Sequence, residues 1–471
     1  MDSGPRMSAQ PRRPRRWLLG SLGVLALALG AWLIADRGQP HFQGRSVRAW
    51  FRQTYRSSDG SWGIGETASW YEARLAFLEM GTNAVPFLVR EAFRFRRNSP
   101  LRTKLREVSK EMPEWAPRGA FTPYHEIQNQ AVRLLRALEP PASVLVPLLQ
   151  PHFESTDANR FVQANMLLGS VGEGADSVVP RLLETVSHTT NRFARNAAWQ
   201  SLRQIGVRDR KVLNAILETG RSEQDPDFLF LGFVPWIGEF GPAGSPVLPI
   251  LEPWLSHTNF LHRIRSALAI VAIDPGHSNA WKVLADAASP DPNSPEADKF
   301  IEGLCEAVSR SSPRSDQRLA NLLVPLAQRE LAAWNSQGAS FRAINALQRV
   351  APETTRTLLE AQLARSDDSR IHAARILLTL DRNHTAATKT LIDAGAAPRL
   401  DSLQYLGEAS STNRLAIEAL EAVVHGKDGP EPQFPSGSPQ ARAVEQAKAA
   451  LARIRYREAR EARGLKDGDW R

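Results

Sequence analysis

The chain has 471 residues, 42% of them hydrophobic and 23% charged, and a formal net charge of +9. A net +4 is concentrated before residue 17, where Arg6, Arg12, Arg13, Arg15 and Arg16 face only Asp2; the excess left for the body is too dilute to support nucleic-acid binding. With one cysteine, Cys305, the chain forms no intramolecular disulfide and holds no paired-cysteine metal or redox motif.

Residues 1–16 read as a basic cytoplasmic tail. Directly after it, "WLLGSLGVLALALGAWLIA" at 17–35 carries no charge, amide or proline. Nineteen residues in a helix span about 28 Å, against ~30 Å of bilayer hydrocarbon. The segment is expected to be a transmembrane signal-anchor helix, with Trp17 and Trp32 near the interfaces and the arginines holding the N-terminus inside. The alternative is a signal peptide cleaved after Ala28-Leu29-Gly30, and both readings export the body. Residues 36–64 follow as a linker with a capping helix in "GRSVRAWFRQTY", 44–55.

Over residues 65–456 one pattern recurs. A helix ends in a bulky apolar residue, with an apolar residue three positions earlier and a small one seven earlier, all on one face. Ala131, Leu135 and Leu138 follow it, as do Ala164, Leu168 and Val171; Ala198, Leu202 and Ile205; Ser266, Ile270 and Ile273; and Ala373, Leu377 and Leu380. The closing residues 138, 171, 205, 240, 273 and 308 are separated by 33, 34, 35, 33 and 35. Such a period, with two helical stretches per unit and almost no strand signal, predicts an all-α fold, an α-solenoid of helical hairpins. In the unit at 175–205, helix A is "ADSVVPRLLETV", the turn "SHTT" and helix B "NRFARNAAWQSLRQI".

Pro180 falls in the first turns of helix A, where amides lack intrahelical acceptors and a missing donor costs little; Pro86, Pro147 and Pro249 recur in the same arrangement. Trp199 and Trp236 are expected to pack between units. About ten units at helix-packing distances of roughly 9 to 10 Å predict an elongated surface on the order of 90 Å. Residues 92–120 are expected to be an extra helix with a solvated basic face, the alternative being a basic insertion that touches a partner or an anionic surface, and 425–440 a flexible loop rich in proline, glycine and serine. Residues 457–471 read as a basic tail finishing the last helix, its charges mostly solvated.

The proline-bearing helix A, the polar turn and an arginine near the start of helix B resemble the HEAT-repeat family. Arg195, Arg263 and Arg370 each stand ten residues before Ile205, Ile273 and Leu380. The resemblance implies that they form a structural ladder, pairing with acidic or amide groups of the next unit. Asp367 and Asp368 suit that role, while the turn "HTNFLHRIRS" offers no aspartate. The order of anchor, linker, "GRSVRAW" and "GTNAVPFL" also looks like that of membrane-tethered bacterial HEAT-repeat proteins.

Chemistry is sparsely signalled. Diiron hydroxylases built on HEAT repeats rely on several His-Glu dyads, because iron takes mixed imidazole and carboxylate ligands. This chain has one, His125-Glu126, followed by "IQN", which breaks the His-Glu-x-x-His spacing. It also lacks a phosphate-binding Gly-rich loop and a Gly-x-Ser-x-Gly elbow. Cys305, in "FIEGLCEAVSR", reads as a small core residue rather than a nucleophile. No cofactor, metal or catalytic residue is expected. The sequence points to a non-enzymatic scaffold on the outer side of the cytoplasmic membrane, held through residues 17–35 and offering its surface to a protein or peptide. The main alternative is an enzyme of hydroxylase or lyase type on the same scaffold.

Overall fold

A computed structural model of the chain describes residues 39–54, 67–94, 104, 124–206, 209–222, 234–290, 297–310, 316–332, 342–365, 369–395, 401–425 and 438–465. The segment expected to cross the membrane, most of the 92–120 insertion, Asp367, Asp368, the loop at 426–437 and the last six residues lie outside them. No helix among the described residues is long and apolar enough to cross a membrane.

The described chain opens with a two-residue hairpin, β1 (His41–Phe42) and β2 (Arg45–Ser46), turned through Gln43 and Gly44 at φ 49° and 72°. All later elements among the described residues are helical. They run α1 (Val47–Gln53), α2 (Ala68–Met80), α3 (Val85–Ala92), α4 (Tyr124–Leu138), α5 (Ala142–Phe153), α6 (Ala158–Leu168), α7 (Val179–His188), α8 (Arg192–Ile205), α9 (Arg210–Ser222), α10 (Val234–Ile237) and α11 (Leu248–Leu251). Then follow α12 (Phe260–Ile273), α13 (Ser278–Ala288), α14 (Ala297–Arg310), α15 (Gln317–Ala332), α16 (Arg342–Val350), α17 (Pro352–Leu363), α18 (Ser369–Leu380), α19 (Thr385–Gly395), α20 (Asp401–Tyr405), α21 (Arg414–His425) and α22 (Pro439–Ala462). The expected capping helix is α1, which buries Val47, Trp50 and Phe51.

The recurrent prolines mark where a 3-10 turn becomes an α-helix. Gly81–Ala84 leads into α3 with Pro86, Ala175–Val178 into α7 with Pro180, and Gly238–Val247 into α11 with Pro249. Each of these prolines occupies one of the first two helical positions, where its absent N–H was due no partner. Pro147 departs from this. It lies inside α5, because that helix starts without a 3-10 lead: the amides of Val144 and Leu145 already bond to the carbonyl of Pro141, and the helix runs through the proline.

Helix B of several units starts at a side-chain cap. Asp157 accepts from the amide of Asn159, Asn191 from those of Phe193 and Ala194, and Asn259 from that of Leu261, all at 2.9–3.2 Å. Each satisfies amides that the first turn leaves without acceptors. Asn191→Ala is expected to lower stability by about 1 kcal/mol, with Asn191→Ser close to wild type, read from denaturation midpoints.

The repeated apolar positions form the core. Leu135, Leu168, Leu202, Ile270, Leu347 and Leu377 are all buried, and the small residues four before them, from Ala131 to Ala373, let neighbouring helices approach. Trp199 and Trp236 are fully buried with ring centroids 6.0 Å apart, tying α8 to α10. Helices pack on their neighbours in sequence, α6 on α8, α12 on α14, α14 on α16, until α22 packs along α2. The two ends of the described chain therefore meet. The sequence reading of an elongated surface did not include that contact, which follows from the side chains of the last helix.

Candidate functional site at the meeting of the chain ends

α22 starts at Ser438, whose hydroxyl accepts from the amide of Ala441, with Pro439 in its first turn. Its C-terminal half carries Arg453, Arg457 and Arg460 at i, i+4 and i+7, one face of the helix, and Arg463 follows at its end. The first two arginines face the preceding unit. Arg457 donates to the carbonyls of Gly407, Glu408 and Ala409 at 2.9–3.3 Å and to the Glu408 carboxylate at 3.0 Å, while Arg453 pairs with the other Glu408 oxygen at 2.7 Å. The chains come close at Gly407, where a Cβ would stand 3.1 Å from the Cα of Ala450.

The next two arginines face the beginning of the chain. Arg460 donates to the carbonyl of Ala137 and to Glu139 at 3.3 Å; Arg463 donates to the carbonyl of Leu78 and to Glu79 at 3.0 Å. Leu78 and Ala137 lie in the last turns of α2 and α4, where the helix dipole favours a cation; the Leu78 carbonyl also accepts from the capping amide of Gly81. One apolar contact accompanies them, a small cluster of Tyr71, Leu78 and Tyr456 whose buried members are separate from the main core. Arg74, itself buried, sits 4.4 Å from the Trp70 ring and 4.7 Å from that of Tyr456. A recess of about 230 Å³ runs along the seam, bounded by Leu78, Val85, Leu138, Pro140, Arg463 and Leu465.

Arg455, Glu458, Glu461 and Arg463 are exposed, as expected of a tail whose charges are mostly solvated, and two arginines depart from that reading. Arg457 and Arg460 are 8% and 2% exposed and bonded on several sides.

The three ladder arginines are not brought into one site. Arg263 donates to the carbonyls of His257 and Thr258, at 2.7 and 3.1 Å, in the turn of its own unit, and its guanidinium stands 6.0 Å from the ring of Phe300 on α14. Arg195 and Arg370 lie half-buried on α8 and α18. Arg263→Ala is expected to cost about 1.5 to 3 kcal/mol, the range for charge-assisted hydrogen bonds, without changing helix content by circular dichroism.

Cys305 is buried, and burial chiefly, with Glu330 adding, pushes its thiol up to about 12. At neutral pH it remains a protonated packing group. The nearby Glu330, its own carboxyl raised by burial, accepts from the amides of Arg342, Ala343 and Ile344 and so caps α16 from a different helix. His125 is largely exposed, 3.9 Å from Glu126, and no group of three or more His, Cys, Asp or Glu residues able to hold a metal occurs among the described residues.

Sequence reading missed a repeated histidine device. In "IDPGHSNA" the Asp274 carboxylate accepts from the amide of Gly276, and His277 accepts from that of Ala280 while its other ring nitrogen faces Glu252 at 3.5 Å. "LDRNHTAA" repeats it: Asp381 takes the amide of Asn383, and His384 takes that of Ala387 and faces Glu360 at 3.1 Å. The signal is Asp-x-x-His at the start of a helix, and its role is capping.

No protein-family model and no curated protein matches this chain. A solved structure of an engineered protein aligns over 87% of this chain and 98% of its own length at 14% identity, with a TM-score of 0.28, a similarity too low to carry an argument.

Proposed function

We propose that the chain is a non-enzymatic scaffold, an α-solenoid of HEAT-like hairpins tethered by residues 17–35 to the outer side of the cytoplasmic membrane, whose surface binds a protein or peptide. The observation that carries this reading is the packing order: helix after helix buries one face against its sequence neighbours, which leaves the other faces open along the chain. Phe193, 67% exposed at the start of α8 with the Arg192 guanidinium 5.6 Å from its ring, is the kind of aromatic anchor that interaction surfaces use. The nucleophile candidate, Cys305, is committed to the core.

A photo-crosslinker at Phe193, activated in intact cells, should give a discrete conjugate, and Phe193→Ala should lose the co-purifying partner while keeping wild-type helix content. Absence of a conjugate, with the partner still co-purifying with Phe193→Ala, would refute the scaffold reading for this face. The tether has its own test. Five arginines precede the apolar span, so protease added to spheroplasts should digest the body and spare residues 1–16, with the chain still in the membrane fraction after high-salt washing. A body digested only after lysis would overturn the topology.

A further inference from the structure

The face on which the C-terminal turns of α22 rest has the properties of a docking site for a helix. It is built from the ends of α2 and α4, two elements contributed by separate units, and its acceptors are the Leu78 and Ala137 carbonyls backed by Glu79 and Glu139. Tyr71 and Leu78 add an apolar patch that receives Tyr456. The helix occupying it presents a short code: an aromatic at 456, a buried arginine four residues on and a second arginine three further, all near one face. The occupant comes from the far end of the sequence, with more than 300 residues between donor and acceptor in each arginine contact.

The contact is also unevenly strong. Arg457 is buried and holds four acceptors on the neighbouring unit, so the middle of α22 belongs to the last unit. The terminal turns hold the first units through one buried arginine, a second arginine whose pair with Glu79 is about two-fifths exposed on both sides, and an apolar cluster in which Tyr71, Leu78 and Tyr456 are surrounded by partly buried side chains, among them Trp70, Leu138 and Leu465. The buried members of this cluster are separate from the main core, so the seam can open locally before the rest of the fold. A binding face covered by a tethered copy of its ligand is occupied at high effective concentration, and a free ligand competes only when the tethered one is weakened.

We infer that the ends of α2 and α4 form a docking site for an arginine-bearing amphipathic helix with the spacing Tyr-x-x-x-Arg-x-x-Arg, and that α22 occupies this site within the same chain as a built-in competitor. This deepens the scaffold reading and rests on it by naming one surface and the chemistry of its partner.

The probe is a labelled synthetic peptide of residues 450–465, titrated by fluorescence anisotropy into the detergent-solubilised full chain. The Arg460→Ala/Arg463→Ala chain should bind the peptide at least tenfold more tightly than wild type. The same chain carrying Glu79→Lys and Glu139→Lys should lose that binding, as should a peptide with both arginines replaced by alanine. Three results would overturn the inference: a variant with wild-type helix content that binds no peptide, wild type and variant binding equally, or loss of helix throughout the variant, which would make the seam part of the global fold. A fourth chain, Tyr456→Ala alone, weakens the occupant without touching the arginines and should give intermediate binding; peptide affinity no better than wild type there, in a folded chain, would also count against the site. None of these results depends on the Phe193 crosslink, so a scaffold that uses another face stands or falls separately.

Discussion

Arg457→Ala should destabilise the protein by about 3 to 5 kcal/mol, more than any other single arginine substitution at the seam. The side chain is 8% exposed and donates to three consecutive carbonyls and to Glu408, itself 7% exposed. Truncation leaves those acceptors buried, and it takes one of the two arginines from a buried carboxylate that Arg453 still faces. Arg463→Ala is the internal control. Its pair with Glu79 is 38% and 40% exposed, so solvent screens the charge and the ion pair is worth no more than about 1 kcal/mol. Urea denaturation followed by circular dichroism compares the two, and equal midpoint shifts would contradict the assignment by burial. A second comparison separates charge from packing. Adding Glu408→Leu to Arg457→Met removes both charges and should recover part, not all, of the loss, because the three carbonyls still lack their donor.

The all-helical fold was legible in the sequence because the same side chains recur at the same helical spacing. A small residue lets helices approach, a leucine or isoleucine fills the gap, and their recurrence every 33 to 35 residues survives substitution of everything else. Ala198, Leu202 and Trp199 could be assigned to the core on spacing alone, and all three are fully buried. The meeting of the ends was not legible, for a reason specific to its chemistry. Arginines at i, i+4 and i+7 look the same whether they face water or protein, and the acceptors for Arg460 and Arg463 include the main-chain carbonyls of Ala137 and Leu78, atoms that every residue possesses. The glutamates beside them are ordinary surface residues until the far helix arrives. Pro147 shows a smaller failure of the same kind: its position in the helix depends on how the preceding turn begins, and Pro141 changes that beginning. The capping residues sit between these cases, since Asp157, Asn191 and Asn259 lie 34 and 68 residues apart, a weaker echo of the apolar period.

Deleting one period, residues 172–205, should leave a folded helical protein whose seam is lost. Most helices pack on their neighbours in sequence, so on the solenoid reading removal of one period should lower helix content only in proportion to the residues removed. The junction itself bears a local cost, because Asn165 would replace Trp199 as the residue facing Trp236, and a side chain of smaller volume leaves a gap there. The larger consequence lies far from the deletion. The position of α22 on α2 is set by the summed displacement of every unit between them, and one unit fewer moves the Arg460 and Arg463 side chains away from Ala137, Glu139, Leu78 and Glu79. Their geometry is specific, since hydrogen bonds weaken steeply with misalignment. The amides of residues 71–79 and 456–463 should therefore exchange with solvent much faster than in wild type, while those of α12 and α14 keep their protection. Wholesale loss of helix would mean that the chain is one cooperative core rather than a series of units. Retained protection at both sides of the seam would mean that the packing between units is soft enough to re-close, and that α22 finds its site on α2 and α4 by affinity rather than by placement.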